Sequence, residues 1–135
     1  MTGDPVLRDA DYQQILQFRT RLRRFLHWSE QQARRAGLTA SQHQLLLAVR
    51  GHPGPGRPTI GDLAGYLLLR HHSVVGLVDR CVLGGWVVRQ PDRADHRVVR
   101  VELTLAGEHA LEHLTALHLA ELRNLAQATW PTDPG

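Results

Sequence analysis

The segment from Arg70 to Leu83 reads RHHSVVGLVDRCVL and combines an apolar face with a polar face. Its apolar residues follow the i, i+3, i+4, i+7 spacing of a helix that packs on a core, and they are Val74, Leu77, Val78 and Cys81. The opposite face has small and polar side chains, namely His72, Ser73, Gly76, Asp79 and Arg80. Imidazole and hydroxyl groups can bond to base edges, and small residues allow a helix to enter the major groove. This face is either an ordinary solvated surface or one that reads nucleic acid.

A second group of charged residues, DRADHR at 92–97, lies between two apolar stretches. Residues 86–88 and 99–103 have the β-branched, alternating pattern of paired strands, and Pro91 and Asp92 favour a turn. The sequence therefore predicts a β-hairpin whose tip carries Arg93, His96 and Arg97. A basic tip beside a groove-reading helix can reach the neighbouring minor groove, and a solvated hairpin is the alternative.

Four further helices are predicted around these two groups. Capping boxes at Thr39–Gln42 and Thr59–Asp62 begin two of them, and the Gly/Pro-rich loop GHPGPGRP separates the pair. Residues 8–36 and 104–128 form long amphipathic helices with more apolar surface than one small domain can cover. We therefore predict that both bury against a second copy of the chain. The tail from Trp130 to Gly135 is predicted to fray.

Composition limits the class of protein. The 135 residues include sixteen arginines, no lysine and one cysteine, with a net charge of +3. The arginine guanidinium can form bidentate hydrogen bonds with phosphates and guanine edges. Codon bias in a GC-rich genome is an alternative explanation for the absence of lysine. The single cysteine fits a reducing compartment, and no signal peptide or membrane-length apolar run of ~20 residues is visible. We expect a cytoplasmic protein without cofactors or a membrane partner, and no arrangement of catalytic groups indicates an enzyme.

Residues 38–107 resemble the MarR (multiple antibiotic resistance regulator) family of winged helix-turn-helix transcriptional regulators. The resemblance rests on the segments TIGDLAGYL, SVVGLVDR, GGWVVR, DRADHR and LTLAG. It implies a mainly α fold with a small β-hairpin wing, that is, a winged helix-turn-helix with N- and C-terminal dimerisation helices. The implied parts are an N-terminal dimerisation helix at 1–37, a DNA-binding domain at 38–103, and a C-terminal dimerisation helix and tail at 104–135.

The resemblance also implies roles for residues. The base-reading positions of the recognition helix are occupied here by His71, His72, Ser73, Val75 and Gly76. Asp95 and Arg97 match an Asp-x-Arg pair in which the arginine enters the minor groove or grips its phosphates, and Arg93 joins them in the predicted DNA-binding set. Asp79 and Arg80 match positions of internal ion pairs that fix the helix and the wing.

The chain departs from the family pattern around the recognition helix. Leu68 replaces the usual glycine of the turn, and Arg70 replaces the usual capping serine, which points to an arginine–phosphate contact. The pair His71–His72 replaces small or basic residues. If protonated imidazoles contact phosphate, DNA affinity falls as pH rises through about 6–7.

Family members commonly bind small phenolic or anionic molecules between the dimer arms and the winged domain. The resemblance therefore predicts a small-molecule effector, with His27, Trp28, His43 and His118 as candidate lining residues. A metal-responsive regulator is an alternative because His109 and His113 have i, i+4 spacing. No further ligand completes that pair, so no metal site is predicted. Cys81 lies on the core face and is predicted to act as a small apolar residue, not as an oxidant sensor.

The sequence thus predicts a homodimeric regulator that binds a near-palindromic operator in double-stranded DNA. The recognition helix would lie in the major groove and the wing in the minor groove, and a small ligand would release a repressor. A winged-helix protein-interaction module without DNA binding is the alternative from a different class.

Overall fold

The structure, a computed structural model, describes residues 3–129 and the side chains of residues 3–126. The tail predicted to fray, 130–135, lies outside this range. The elements are, in order, α1 (Asp9–Arg35), α2 (Ala40–Gly51), α3 (Ile60–Leu67), α4 (His71–Leu83), β1 (Val87–Pro91), β2 (Val99–Leu103) and α5 (Leu105–Thr129). The prediction of a mainly α fold with a β-hairpin wing is confirmed.

The core lies between α2, α3, α4 and the hairpin. Its fully buried side chains are aliphatic and include Leu45, Leu46, Leu63, Leu77 and Val101. Each such side chain stabilises the fold by roughly 1.5–3 kcal/mol through burial alone. Ala33 of α1 and Leu114 of α5 belong to the same core, so the long helices are anchored to the winged domain.

Both predicted capping boxes begin helices. The Thr39 hydroxyl accepts the Gln42 N–H at 3.1 Å, and the Gln42 side chain accepts the Thr39 N–H at 2.9 Å. Thr59 and Asp62 form the same pair of bonds at 3.1 and 2.9 Å. The Gly/Pro-rich loop between α2 and α3 ends against the hairpin, where the Val101 N–H donates to the Pro58 carbonyl at 3.0 Å.

The hairpin and α5 meet at a close backbone approach. Strands β1 and β2 are antiparallel, with Val87 opposite Leu103 and Arg89 opposite Val101. The Thr104 hydroxyl accepts the Gly107 N–H at 3.1 Å at the start of α5. A Cβ on Gly107 would lie 2.2 Å from the Trp86 carbonyl oxygen, so only glycine fits the last position of LTLAG.

The long helices α1 and α5 pack on each other and leave apolar side chains uncovered. Seven of these side chains are between 37% and 63% exposed: Ile15, Leu16, Phe18, Leu22, Leu26, Leu119 and Leu122. Such a contiguous apolar surface is typical of an interaction face.

Candidate nucleic-acid interface

The turn between α3 and α4 is made by a leucine in the left-handed conformation. Leu68 has φ 54° and ψ 43°, and it is 91% exposed. The following N–H, that of Leu69, donates to the Ala64 carbonyl at 3.2 Å. A left-handed non-glycine residue costs roughly 1–2 kcal/mol. The position where the family usually has glycine therefore stores strain in this chain.

Helix α4 begins with unpaired backbone donors. The Arg70 carbonyl accepts the N–H groups of Ser73 and Val74, both at 3.1 Å, but the Arg70 side chain forms no capping hydrogen bond. As in any α-helix, the first N–H groups, here those of His71 and His72, have no acceptor within the helix itself. Free donors at a helix N-terminus favour anions such as phosphate, and the arginine adds a positive charge beside them.

The two faces of α4 lie as the periodicity predicts. Val74, Leu77, Val78 and Cys81 are buried. His71 and His72 are exposed, and the side chains of Ser73, Val75 and the Cα of Gly76 are partly exposed beside them. A groove of about 380 Å³ between α4 and the wing brings His71, Val75 and Arg97 together. Arg93 is exposed at the hairpin tip, outside this groove.

The predicted Asp-x-Arg pair of the wing is joined by a bidentate hydrogen-bonded contact. Arg97 donates from Nε to one oxygen of Asp95 at 3.0 Å and from Nη2 to the other at 3.2 Å. The Arg97 guanidinium lowers the pKa of the Asp95 carboxyl below its usual value. The Arg97 side chain is nevertheless 91% exposed, so the carboxylate orients a guanidinium that remains free to contact a partner.

A second aspartate organises the inside of the wing and was not identified as a functional residue from the sequence. Asp92 accepts hydrogen bonds from Arg100 Nε at 2.7 Å and from the N–H groups of Ala94 and Asp95 at 3.0 and 2.9 Å. These bonds lower the pKa of Asp92. Arg100 also donates to the Arg57 carbonyl at 2.6 Å. The turn signal Pro91–Asp92 was visible, but the pairing with Arg100 depends on strand register.

An ion pair joins the recognition helix to the wing. Asp79 of α4 accepts from the Arg89 guanidinium of β1, and Arg89 also donates to the Val75 carbonyl at 3.4 Å. Asp79 is therefore placed as its family position implies, with Arg89 as a partner that the sequence did not reveal. Arg80 is exposed and has no ion pair among residues 3–126.

Three of the four predicted effector residues meet on the other side of α2. Around His118, the Trp28 and His43 ring centroids both lie at 4.9 Å and the Phe25 centroid at 5.8 Å. His43 and His118 line a cleft of about 340 Å³ between α1, α2 and α5, whose other walls are mostly apolar. His27 does not join them, because it is exposed and contacts Gln31 of its own helix.

Hydrogen bonds fix the protonation pattern of His118. Its Nδ1 lies 2.7 Å from the Leu114 carbonyl, which can only accept, so Nδ1 carries the proton. In the neutral ring, Nε2 is then an acceptor and receives the Ser29 hydroxyl at 2.6 Å. His43 is only 3% exposed, and its Nδ1 has no hydrogen-bond partner. Burial, with a contribution from His118, lowers the pKa of His43 to about 4.

Among the described residues, the thiol and the remaining histidines form neither a reactive thiolate nor a metal-binding site. Cys81 is buried, and burial raises the pKa of its thiol to about 11, which disfavours the reactive thiolate. Among the residues described, no group of three or more histidine, cysteine, aspartate and glutamate side chains could hold a metal ion. No described helix combines the length and apolar content that a membrane span requires.

Comparisons with known proteins identify the domain that carries these features. A sequence model of the MarR family matches residues 36–98. Residues of this chain are 35% identical over 78 positions to the transcriptional activatory protein BadR of Rhodopseudomonas palustris, a match that covers 58% of this chain and 45% of BadR. The chain thus spans less than half the length of that relative.

Solved structures share the fold. The MarR family transcription regulator SP03579 is 24% identical and superposes with a TM-score of 0.75 over 88% of this chain and 77% of its own. A single-residue mutant of MepR from S. aureus, solved bound to an oligodeoxyribonucleotide, is 22% identical with a TM-score of 0.68 over 82% and 80%. MarR-family regulators are transcription factors and not enzymes. Residues 36–98 of the chain therefore form a MarR-family winged helix-turn-helix domain.

Proposed function

We propose that the chain is a homodimeric regulator that binds a near-palindromic site in double-stranded DNA. The observation that carries the proposal is the groove in which the exposed first turn of α4 faces Arg97 of the wing. His71, His72, Ser73, Val75 and Gly76 would read the major groove, with Arg70 on a phosphate. Arg97, held by Asp95, and Arg93 would contact the adjacent minor groove.

The uncovered apolar surface of α1 and α5 supports the dimer. An isologous contact would bury this surface against the same surface of a second copy. It would also fix the distance between the two copies of α4, which must be about 34–36 Å for successive major grooves.

Selection of bound duplexes from a random pool tests the proposal. We expect a palindrome whose half-sites are centred about one helical turn apart. Arg97→Ala should weaken binding to the selected duplex and lower the slope of log affinity against log salt by about 1. Arg34→Ala is the matched control, since Arg34 pairs with Glu30 on α1, and should change neither quantity. Failure to bind any DNA at low salt would favour the protein-interaction module.

The cleft between α1, α2 and α5 supports a small-molecule effector. Phe25, Leu26, Leu47 and Leu119 provide apolar walls, with Ser29, His43 and His118 as polar points. We propose that its occupation releases a repressor. Leu47→Trp should fill the cleft from α2 and abolish ligand-induced release of DNA while leaving DNA affinity in the absence of ligand within about twofold. Transcription in vitro from a promoter that overlaps the selected site shows whether the protein represses or activates. An increase in transcript with added protein would show an activator.

A further inference from the structure

The contact between α2 and the arm helices contains two adjacent histidines, of which His43 is buried with an unpartnered ring nitrogen. We call Phe25, Trp28, Ser29, His43 and His118 the junction cluster. His43 belongs to the winged domain, whereas the other four belong to α1 and α5. The His43 and His118 ring centroids are 4.9 Å apart, and both nitrogens of His118 are already engaged.

We propose that the junction cluster is a proton-operated switch: one proton from solvent, taken up by His43, separates α2 from the arms and lowers DNA affinity. The inference rests on the proposed function, because the arms of a dimer set the spacing of the two α4 helices. Once α2 is free of α1 and α5, each recognition helix loses its fixed position relative to the other.

The geometry explains why a proton cannot be accommodated in place. A proton on Nδ1 of His43 would be buried without an acceptor. The new cation would also lie against the His118 imidazole, with ring centroids 4.9 Å apart, so the charge is relieved when His43 leaves this contact and reaches water.

No carboxylate is among the causes that set the pKa of His43, which are burial and His118. Two carboxylates of the arm helices have cationic partners of their own. Glu30 pairs with Arg34, and Arg50 pairs with Glu108. The charge that acts on the His43 pKa is that of His118, in addition to burial. Burial and the neighbouring imidazole therefore determine the response of His43 to pH.

The test measures DNA affinity between pH 5 and 8 at constant ionic strength, by fluorescence anisotropy with the selected duplex. The full chain carries His71→Gln and His72→Gln, so that titration of the recognition helix is removed. We expect the dissociation constant to rise as pH falls from 7 to 5, by up to about tenfold, because the open chain takes up the proton on His43 more readily than the closed chain. Adding His43→Phe should make the profile flat, whereas adding His109→Gln, on the exposed face of α5, should leave the rise unchanged. The same rise in the His43→Phe chain overturns the proposal.

A second measurement does not require DNA or a variant. Histidine ring resonances of the unmodified chain, followed by NMR from pH 8 to pH 4, report both protonation and ring contacts. We expect the His43 ring to protonate well below pH 6.5 and the Trp28 indole signal to shift with it. A His43 that protonates near pH 6.5 with Trp28 unaffected overturns the switch. If no duplex binds at any pH, the proposed function fails, but this titration still decides whether a proton opens the junction.

Discussion

The chain has two neighbouring pairs of histidines in opposite environments. His71 and His72 are exposed on the first turn of α4, beside unpaired backbone donors and Arg70. His43 and His118 stack inside the junction between the winged domain and the arms. A proton on the first pair adds a cation where a phosphate is expected. A proton on His43 adds a cation to a buried ring whose Nδ1 has no partner.

The same side chain can therefore give opposite pH responses in one regulator. Protonation of His71 and His72 should strengthen a phosphate contact as pH falls. Protonation of His43 should weaken the packing of α2 as pH falls. The affinity of the unmodified chain for DNA should therefore pass through a maximum, and variants of each pair should remove one side of it.

The strongest effect that we expect is the dependence of stability on the His43 imidazole. The His43 pKa is about 4 in the folded chain against an ordinary value of 6.5, so the unfolded chain binds more protons between these values. The free energy of unfolding is thus unaffected by this group above pH 6.5 and falls by up to about 3 kcal/mol as pH decreases through 4. Urea unfolding at a series of pH values and a fixed protein concentration measures this free energy of unfolding.

His43→Phe is the control for this loss. The variant should lack the component of the acid loss that His43 causes, and at about pH 7.5 it should be more stable by about 1 kcal/mol because the unpaired buried Nδ1 is gone. An equal loss of stability in the variant between pH 6.5 and 4 would assign the effect to other groups.

Next in size is the loss of the hydroxyl that fixes His118. Ser29→Ala should destabilise the fold by about 1–2 kcal/mol at about pH 7.5, because His118 Nε2 would be left without its donor. Ser41→Ala, at an exposed position of α2, should stay within about 0.5 kcal/mol. Urea midpoints at the same pH separate the two, and equal midpoints would mean that the hydroxyl does not support the junction.

The exposed pair should affect DNA binding without affecting stability. His71→Gln with His72→Gln should weaken binding to the selected duplex about tenfold at about pH 6, or about 1.4 kcal/mol, and leave the urea midpoint unchanged. If protonated imidazoles make the phosphate contacts, the loss should be smaller at about pH 8 than at about pH 6. Equal loss at both pH values would show neutral base contacts in place of protonated phosphate contacts.

How much could be predicted from the sequence differs between these two regions. The faces of α4 follow from local periodicity, so Val74, Leu77, Val78 and Cys81 were correctly assigned to the core from spacing alone. The roles of the exposed residues in DNA binding remain predictions. The ion pairs of Asp79 with Arg89 and of Asp92 with Arg100 were missed, because each partner depends on hairpin register and on how the wing lies against α4.

The junction was only partly predictable, for a geometric reason. Ser29 and His118 are 89 residues apart in sequence, and their contact depends on how α1 packs against α5. Successive helical residues point about 100° apart. His27 was therefore named although it points to solvent, and Ser29, two residues later on the buried face, was not. Sequence indicated the region, but the rotation of α1 decided which side chains enter it.

The weakest effect that we expect concerns the turn that holds the exposed pair in place. Leu68→Gly should raise the free energy of unfolding by about 0.5–1 kcal/mol, since relief of the left-handed strain exceeds the entropy that glycine adds to the unfolded chain. DNA affinity should not change if the turn already has the geometry that α4 needs. Leu83→Gly is the contrast, because Leu83 is also exposed but helical, and it should destabilise by up to about 1 kcal/mol. A Leu68→Gly chain that is stabilised but binds DNA more weakly would show that the strained leucine helps to fix the recognition helix.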